Sequence, residues 1–510
     1  MKKNIICAAV FFLFLCAAVF LPAQNISING DPSTVLTRAE FEEVSRNRPV
    51  GGRIRRSVAL EELLPVFVDL EALTVIGDSR YDIPSAEGDS VLPLYRTYLT
   101  LEGDGSCTVF VGGVGKQLGE DTKDPVVTNV RDIRIEGELL TSGELEVWVA
   151  WEGVPELKRE IQRWSRIHGM KVVVNEVPKS DSKLLSVLRG GGDLPDVVLV
   201  QSDYLPSLTA AGALQPMVRF PVDQFAEKSL EAMSLDGRLW AVPFYFDAQL
   251  LFYRSDLVSR RAVSDIADGW DLDDFERIAR QLKARGISPA SWNAYSAYWL
   301  ASFQLGFGKE ELLGPDGTVR VDDQATFDAV SYLKRIADEG LLDLRERDSM
   351  FSRFISGDVA MMLSASFSIP ELERIGVPFG VASFPDGPAG PVAPLLDFKG
   401  FSITRKTRNP LLARRFLLSM SDPAVQHSFT SDVYKIPVAE PAWVLAEEEN
   451  PYFQVLRNAY DTGVAVPSTR GYTIYKNTMW KMLRFLLTGK MPVQEGLEQA
   501  QTLIDNQMKE

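Results

Sequence analysis

Between residues 144 and 201 the chain alternates two kinds of apolar pattern, and this alternation restricts the fold more than any other feature. Residues 145–151, 171–177 and 197–200 are short apolar runs of strand length, whereas 155–168 and 181–188 carry apolar residues at helical spacing. The first helical run has Pro155 in its opening turn, and the second starts on Asp or Ser, the residues that cap helices. A strand-helix-strand-helix-strand series crosses over right-handed and so builds a parallel sheet. Its third strand stops at Gln201-Ser202-Asp203, which puts polar loop residues at the carboxyl end, where sheets of this kind hold ligands.

Further on, Asp236-Gly-Arg-Leu-Trp-Ala-Val-Pro-Phe-Tyr-Phe-Asp-Ala-Gln-Leu-Leu-Phe-Tyr-Arg-Ser-Asp256 reads as a Gly turn, an apolar strand broken at Pro243 and a second apolar strand after Asp247. Such an extended crossing suits a hinge between two lobes. Helical periodicity at 272–284, 295–305, 322–338 and 350–355, then a buried strand over 357–363, supplies a second lobe. The length of 510 residues also exceeds what one core usually holds.

Ordered segments spread over this part carry a family resemblance: Asp193-Leu-Pro-Asp-Val-Val-Leu-Val-Gln-Ser-Asp-Tyr204, the crossing just described, and Phe351-Ser-Arg-Phe-Ile-Ser-Gly-Asp-Val-Ala-Met-Met-Leu363. Lys399-Gly-Phe-Ser-Ile-Thr-Arg-Lys-Thr-Arg-Asn-Pro-Leu-Leu-Ala-Arg-Arg-Phe-Leu417 follows, and then Ser421-Asp-Pro-Ala-Val-Gln426 with Ile436-Pro437. Together they resemble the extracellular solute-binding proteins of ABC importers, the group that includes maltose-type and other sugar binders, over about 143–510. The resemblance implies an α/β, two-lobed periplasmic-binding-protein fold with hinge crossovers. Lobe 1 is expected at about 143–245 plus 377–405, and lobe 2 at about 247–376 plus 406–510. It further implies a monomer that captures a small solute, a sugar or oligosaccharide, by cleft closure and delivers it to a membrane permease and its ATPase, neither encoded here. No enzymatic activity, cofactor or metal is implied. A secreted carbohydrate-active enzyme and a surface receptor or adhesin on the same lobes are the alternatives, and no residue pattern discriminates against a peptide or polyamine solute.

A sugar offers apolar C–H faces to aromatic rings and a rim of hydroxyls to fixed polar groups. Trp151 and Glu152, after the first strand, are candidates for stacking and for accepting hydroxyls; packing under the next helix is the other role open to Trp151. Gln201, Ser202 and Asp203 follow the third strand, where Ser202 or Asp203 alternatively caps a helix. Of Tyr245 and Asp247 at the crossing, one is expected to touch the solute. Trp292, Tyr295 and Trp299 give the second lobe its aromatic surface, although Tyr295 and Trp299 share a helical face and packing claims at least one of them. Phe367, where many sugar binders place a Trp, and the turn bearing Asp397 and Lys399 complete the set.

A formal charge of −15 argues against a nucleic-acid partner, which needs clustered Lys and Arg. With only His168 and His427, far apart in sequence, no metal-binding spacing or His-centred nucleophile exists. Residues 1–23 read as a signal peptide: Lys2 and Lys3, an apolar core and a small-residue exit with cleavage after Ala23. Retention as an anchor, or lipid attachment at Cys16 after the unfavourable Leu15, are the alternatives. The expected location is therefore periplasmic or secreted. Cys7 and Cys16 lie in that segment, which leaves Cys107 without a disulfide partner and reads it as a small buried residue. Residues 25–142 read as a small α+β accessory domain of unassigned role, with helices near 38–46 and 59–66, strands at 73–76, 95–101, 107–111 and 126–135, and a hairpin turn at 112–116. Its removal is expected to spare solute binding.

Overall fold

A computed structural model describes residues 26–28, 31–36, 38–50, 52–64, 66–83, 97–111, 124–140, 142–258, 270–314 and 317–509. The expected signal peptide, Cys7, Cys16 and the turn at 112–116 lie outside these residues.

The alternation seen from residue 144 onward builds the first lobe. Strands Glu144–Val149, Lys171–Glu176 and Val197–Gln201 are parallel, with helices Val154–His168 and Ser180–Arg189 between them. Leu145, Val147, Val149 and Val197 to Val200 are all buried, because the sheet is covered on both faces. A return strand, Leu395–Ile403, pairs antiparallel with Val197–Gln201 on one edge and with the crossing strand on the other.

The crossing strand runs unbroken from Val242 to Arg254, and each of its 13 residues is buried. The expected break at Pro243 is instead a register shift between Pro243 and Tyr245. Pro243 lacks an N–H to donate, and a shift at that point absorbs the missing bond without ending the strand. The strand changes lobe at one step: Ala248 pairs with Leu396 of the return strand, and Gln249 pairs with Ala365 of strand Val359–Ala365. Strands Ser288–Trp292 and Leu342–Leu344 extend the second sheet. Helices Leu272–Ala284, Ala297–Gly306 and Gln324–Asp338 cover it, joined by Arg470–Leu487 and Val493–Lys509 from the C-terminus.

Helices Pro410–Met420 and Pro423–Asp432, which the sequence groups with the second lobe, pack on the first. Phe416 meets Trp164 edge-on at 5.3 Å and Phe401 at 5.9 Å, and Asp432 accepts from Arg159 at 2.7 Å.

The accessory region holds two sheets. One orders Asp31–Leu36, Ile26–Ile28, Asp132–Leu139, Phe67–Ile76 and Arg80–Ile83; the other orders Arg46–Val50, Arg53–Ala59, Thr97–Leu101 and Cys107–Val111. Cys107 is buried, and burial pushes its thiol up to about 11, which suits packing and not nucleophilic chemistry. This region docks on the first lobe through Arg48, which is 2% exposed and reaches Glu62 at 2.8 Å and Asp422 at 3.4 Å. Arg46 also pairs with Glu160, and His168 lies 3.2 Å from Glu61.

Candidate functional site

The register of three strands sets the floor of a cleft between the lobes. Gln201 stands opposite Lys399, and Asp397 stands opposite Asp247, so the polar ends of apolar strands fall side by side. Above them lies a cavity of about 340 Å³. Gln201, Asp203 and Asp397 line it from the first lobe and the return strand, and Tyr298, Trp299 and Phe367 from the second. Four buried polar atoms in its lining have no partner among the described residues: Asp203 Oδ1, Asp397 Oδ1, Asn293 Oδ1 and Tyr472 OH. Three of them only accept hydrogen bonds, and unmet buried acceptors are costly unless something supplies donors.

A second, larger cavity of about 870 Å³ opens beside the first. Trp151 and Glu152 line one wall and Pro370, Glu371 and Arg374 the other. Trp151 is turned there by a left-handed backbone, φ 70°, an uncommon conformation for a bulky residue that ends the first strand abruptly. Two residues later Gly153 has φ 76°, and a Cβ on it would lie 2.7 Å from Val433 Cγ1, so glycine is required for the following helix to seat. Arg347 and Phe367 line both cavities, with the guanidinium 5.2 Å from the ring centroid, and form the partition between them.

Beneath the cleft runs a buried chain of charges. Asp247 accepts from Lys399 at 2.7 Å, from Ser366 at 2.8 Å and from Lys435. Lys399 also donates to Asp397 Oδ2 at 2.9 Å, which Gln201 shares, and Lys435 lies 3.8 Å from Glu152. Burial alone would raise the Asp247 carboxyl, but the two ammoniums overcome it and hold the group well below the usual carboxylate range. Asp397 has the opposite balance. Burial raises it to about 6, with Lys399 pulling down and Asp203 pushing up. Lys399 is held charged: burial works against it, and Asp247 with Asp397 raises it well above its ordinary value.

A model of the bacterial extracellular solute-binding protein family matches residues 165–442, more than half of the chain. The chain belongs to this family. Among relatives of this solute-binding protein, the maltodextrin-binding protein MdxE of Bacillus subtilis (strain 168) is 22% identical over 331 residues, 62% of this chain and 79% of the relative. The galactooligosaccharide-binding protein of the same organism is 20% identical over 390 residues, 72% of this chain and 90% of the relative. The GacH receptor of Streptomyces glaucescens, whose crystal structures include a complex with acarbose, superposes with a TM-score of 0.65 at 20% identity. It covers 72% of this chain and 99% of its own. At that identity the likeness shows the fold.

Seven of the residues that the sequence singles out line the two cavities of this solute-binding protein: Gln201, Asp203, Trp299, Phe367 and Asp397 the first, Trp151 and Glu152 the second. The others do not. Tyr245 and Asp247, one of which was expected to touch the solute, are both wholly buried, because the crossing strand is paired along both edges. Lys399 is buried beneath the first cavity, and Ser202 is buried with its carbonyl accepting from Ser468. Trp292 sits in the second-lobe core, stacked on Phe303 at 5.9 Å and edge-on to Phe275. Tyr295 packs under the Arg484 guanidinium at 4.8 Å. Sequence reasoning missed Arg347, Lys435, Tyr472 and Lys476. Tyr472 and Lys476 are four apart on one helix and jointly face the first cavity, with Lys476 donating to Asp203 Oδ2 at 2.6 Å. That spacing was the available signal.

Among the described residues, no group of three or more His, Cys, Asp and Glu is placed to hold a metal ion, and no helix is long and apolar enough to cross a membrane.

Proposed function

We propose that this protein captures a sugar or oligosaccharide outside the cytoplasm, closes its lobes over it and delivers it to the permease of an ABC importer. The observation that carries this reading is the first cavity, where Trp299 and Phe367 face unmet acceptors on Asp203, Asp397 and Asn293. Aromatic faces suit the C–H faces of a pyranose, and acceptors suit its hydroxyl donors. A solute touching both lobes stabilises the closed arrangement as far as it favours it over the open one. The names of the relatives, maltodextrin- and galactooligosaccharide-binding, support the choice of saccharide. Export through residues 1–23 is part of the same proposal.

One observation favours hydrolysis as a second reading: two carboxylates share the first cavity, and one of them is raised to about 6. Against it, Asp397 Oδ2 is held by Lys399 and Gln201, and Asp203 Oδ2 by Lys476, so one oxygen of each group is fixed as an acceptor. A thermal-shift panel of mono- and oligosaccharides, amino acids and polyamines separates these readings when paired with chromatography of the saccharides. A melting temperature raised by a saccharide that is recovered intact is expected, because a ligand binding only the folded state stabilises it. Trp299→Ala should weaken that saccharide by about tenfold or more. A shift confined to amino acids or polyamines, or any cleavage product, overturns the proposal.

A further inference from the structure

The buried charge chain does more than fill the hinge. Asp247 is 0% exposed and so has no surface to offer a solute. It sits one residue before the crossing strand changes lobe, and its two oxygens tie three separate parts of the chain. Oδ1 takes Ser366 from the second lobe and Lys435 from the segment after helix Pro423–Asp432; Oδ2 takes Lys399 from the return strand. Ser366 in turn accepts from the Ala248 N–H at 3.1 Å, so this corner closes on the strand itself. The far ends of the chain reach the two cavities: Lys399 holds Asp397, whose Oδ1 is unpartnered, and Lys435 faces Glu152.

We propose that Asp247 is the positioning residue through which the two cavities act as one site, holding Lys399 and Lys435 between the carboxylates of Asp397 and Glu152. The inference rests on the reading that these cavities hold the solute. Buried ammoniums need carboxylate partners, since an unpaired buried charge is strongly unfavourable. With Asp247 charged, Lys399 divides its donors between Asp247 and Asp397, and Lys435 donates to Asp247 with the Glu152 carboxylate 3.8 Å away. With Asp247 neutral, Lys399 has Asp397 alone and Lys435 has Glu152 alone, and each cavity responds to solute independently. Both ammoniums also lie over the Tyr245 ring, at 4.8 Å for Lys435 and 5.7 Å for Lys399, which limits where else they can go. The titratable groups facing Asp397 are Lys399 on its own strand, Asp203 and Asp181 from the first lobe, Asp247 and Tyr245 on the crossing strand, Lys476 of helix Arg470–Leu487 and the hydroxyls of Tyr298 and Tyr472.

The test has a ligand arm and a ligand-free arm on the full chain. In the first, calorimetry with maltotetraose measures Asp397→Asn, Glu152→Gln and the double variant, each in the native and in the Asp247→Asn background. The double loss is expected to differ from the product of the single losses by about fivefold with Asp247 present, and to equal that product in its absence. In the second, carbon NMR follows the Asp397 carboxyl through its titration. The midpoint near 6 is expected to fall by about one unit or more in Asp247→Asn, because Lys399 then has a single carboxylate and a neighbouring negative charge is gone. A residue that merely packs would leave that midpoint in place. Asp247→Asn combined with Lys435→Met removes a charge of each sign together, and gives the same two results where the single variant does not fold. Losses that multiply in both backgrounds, or an unmoved midpoint, overturn the inference. If maltotetraose leaves the native protein unbound, the calorimetry is run with the saccharide that gives the largest thermal shift, and if no saccharide binds, the saccharide assignment falls while the NMR arm still decides the role of Asp247.

Discussion

Asp397 gives the cleft its pH response. An aspartate in an unfolded chain titrates near 3.9, and burial raises this one to about 6 in the fold. With the folded value above the unfolded one, its contribution to stability is full below about pH 4 and is lost as pH rises through 6, on the order of 3 kcal/mol in total. Asp397→Asn cannot ionise and lacks this slope. Urea denaturation between pH 4 and 8 should show the variant gaining on the native protein by that order as pH rises; parallel curves would contradict the burial balance. Gln201 and Asp203 were legible because polar residues that close an apolar strand mark its carboxyl end; Asp397 was named too, but on an expected turn that the structure replaces with the buried strand Leu395–Ile403. The position of Trp292 was not legible, because an aromatic residue closing a strand looks the same whether it turns into the core or into the cleft. Lys435 was hidden for another reason: its partner Asp247 is remote in sequence, and no local pattern records a tertiary ion pair.

At the scale of elements, the hinge depends on how closely the crossing and return strands approach. Gly400 stands opposite Pro243, and a Cβ on it would lie 2.6 Å from the Val242 carbonyl oxygen. Gly400→Ala must therefore push the strands apart where both are buried, at a cost of about 1–3 kcal/mol. The expected measurement is a lower urea midpoint with an unchanged slope, and an unaltered midpoint would show that the strands have room. The strand-helix alternation of the first lobe was readable because short continuous apolar runs of strand length alternate with longer stretches whose apolar residues recur at helical spacing. Pro243 misled because proline usually ends a strand, and the register shift that accommodates it here is invisible without the partner strand.

At the scale of the molecule, the accessory region is tied to the first lobe by buried charge. Burial opposes the Arg48 guanidinium, but Asp422 and Glu62 hold it more firmly protonated than an ordinary arginine. Asp422 also caps helix Pro423–Asp432 by accepting from Ala424 and Val425, so the interface reaches an element that borders the second cavity through Asp432. Arg48→Ala takes the guanidinium from between two buried carboxylates, leaving Glu62 with Arg46 at 4.0 Å and Asp422 with the Ala424 and Val425 N–H groups, and should cost about 3 kcal/mol, read as a lower midpoint of chemical unfolding. A loss below about 1 kcal/mol would mean that the interface is open to water. Deleting the whole region would remove Glu62 with it but strip Asp422 of Arg48 and Glu160 of Arg46, so the deletion that the sequence suggested tests stability together with solute binding. The return of 410–432 to the first lobe was likewise unreadable, since position in the chain does not name the sheet on which a helix packs.

The central claim is that two sheet-based lobes close over a saccharide without transforming it. Small-angle X-ray scattering of the full chain, with and without a saturating concentration of the saccharide that gives the largest thermal shift, tests it most directly. The radius of gyration should fall on binding and return when the intact saccharide is dialysed away; saturation with no change in radius would contradict the account.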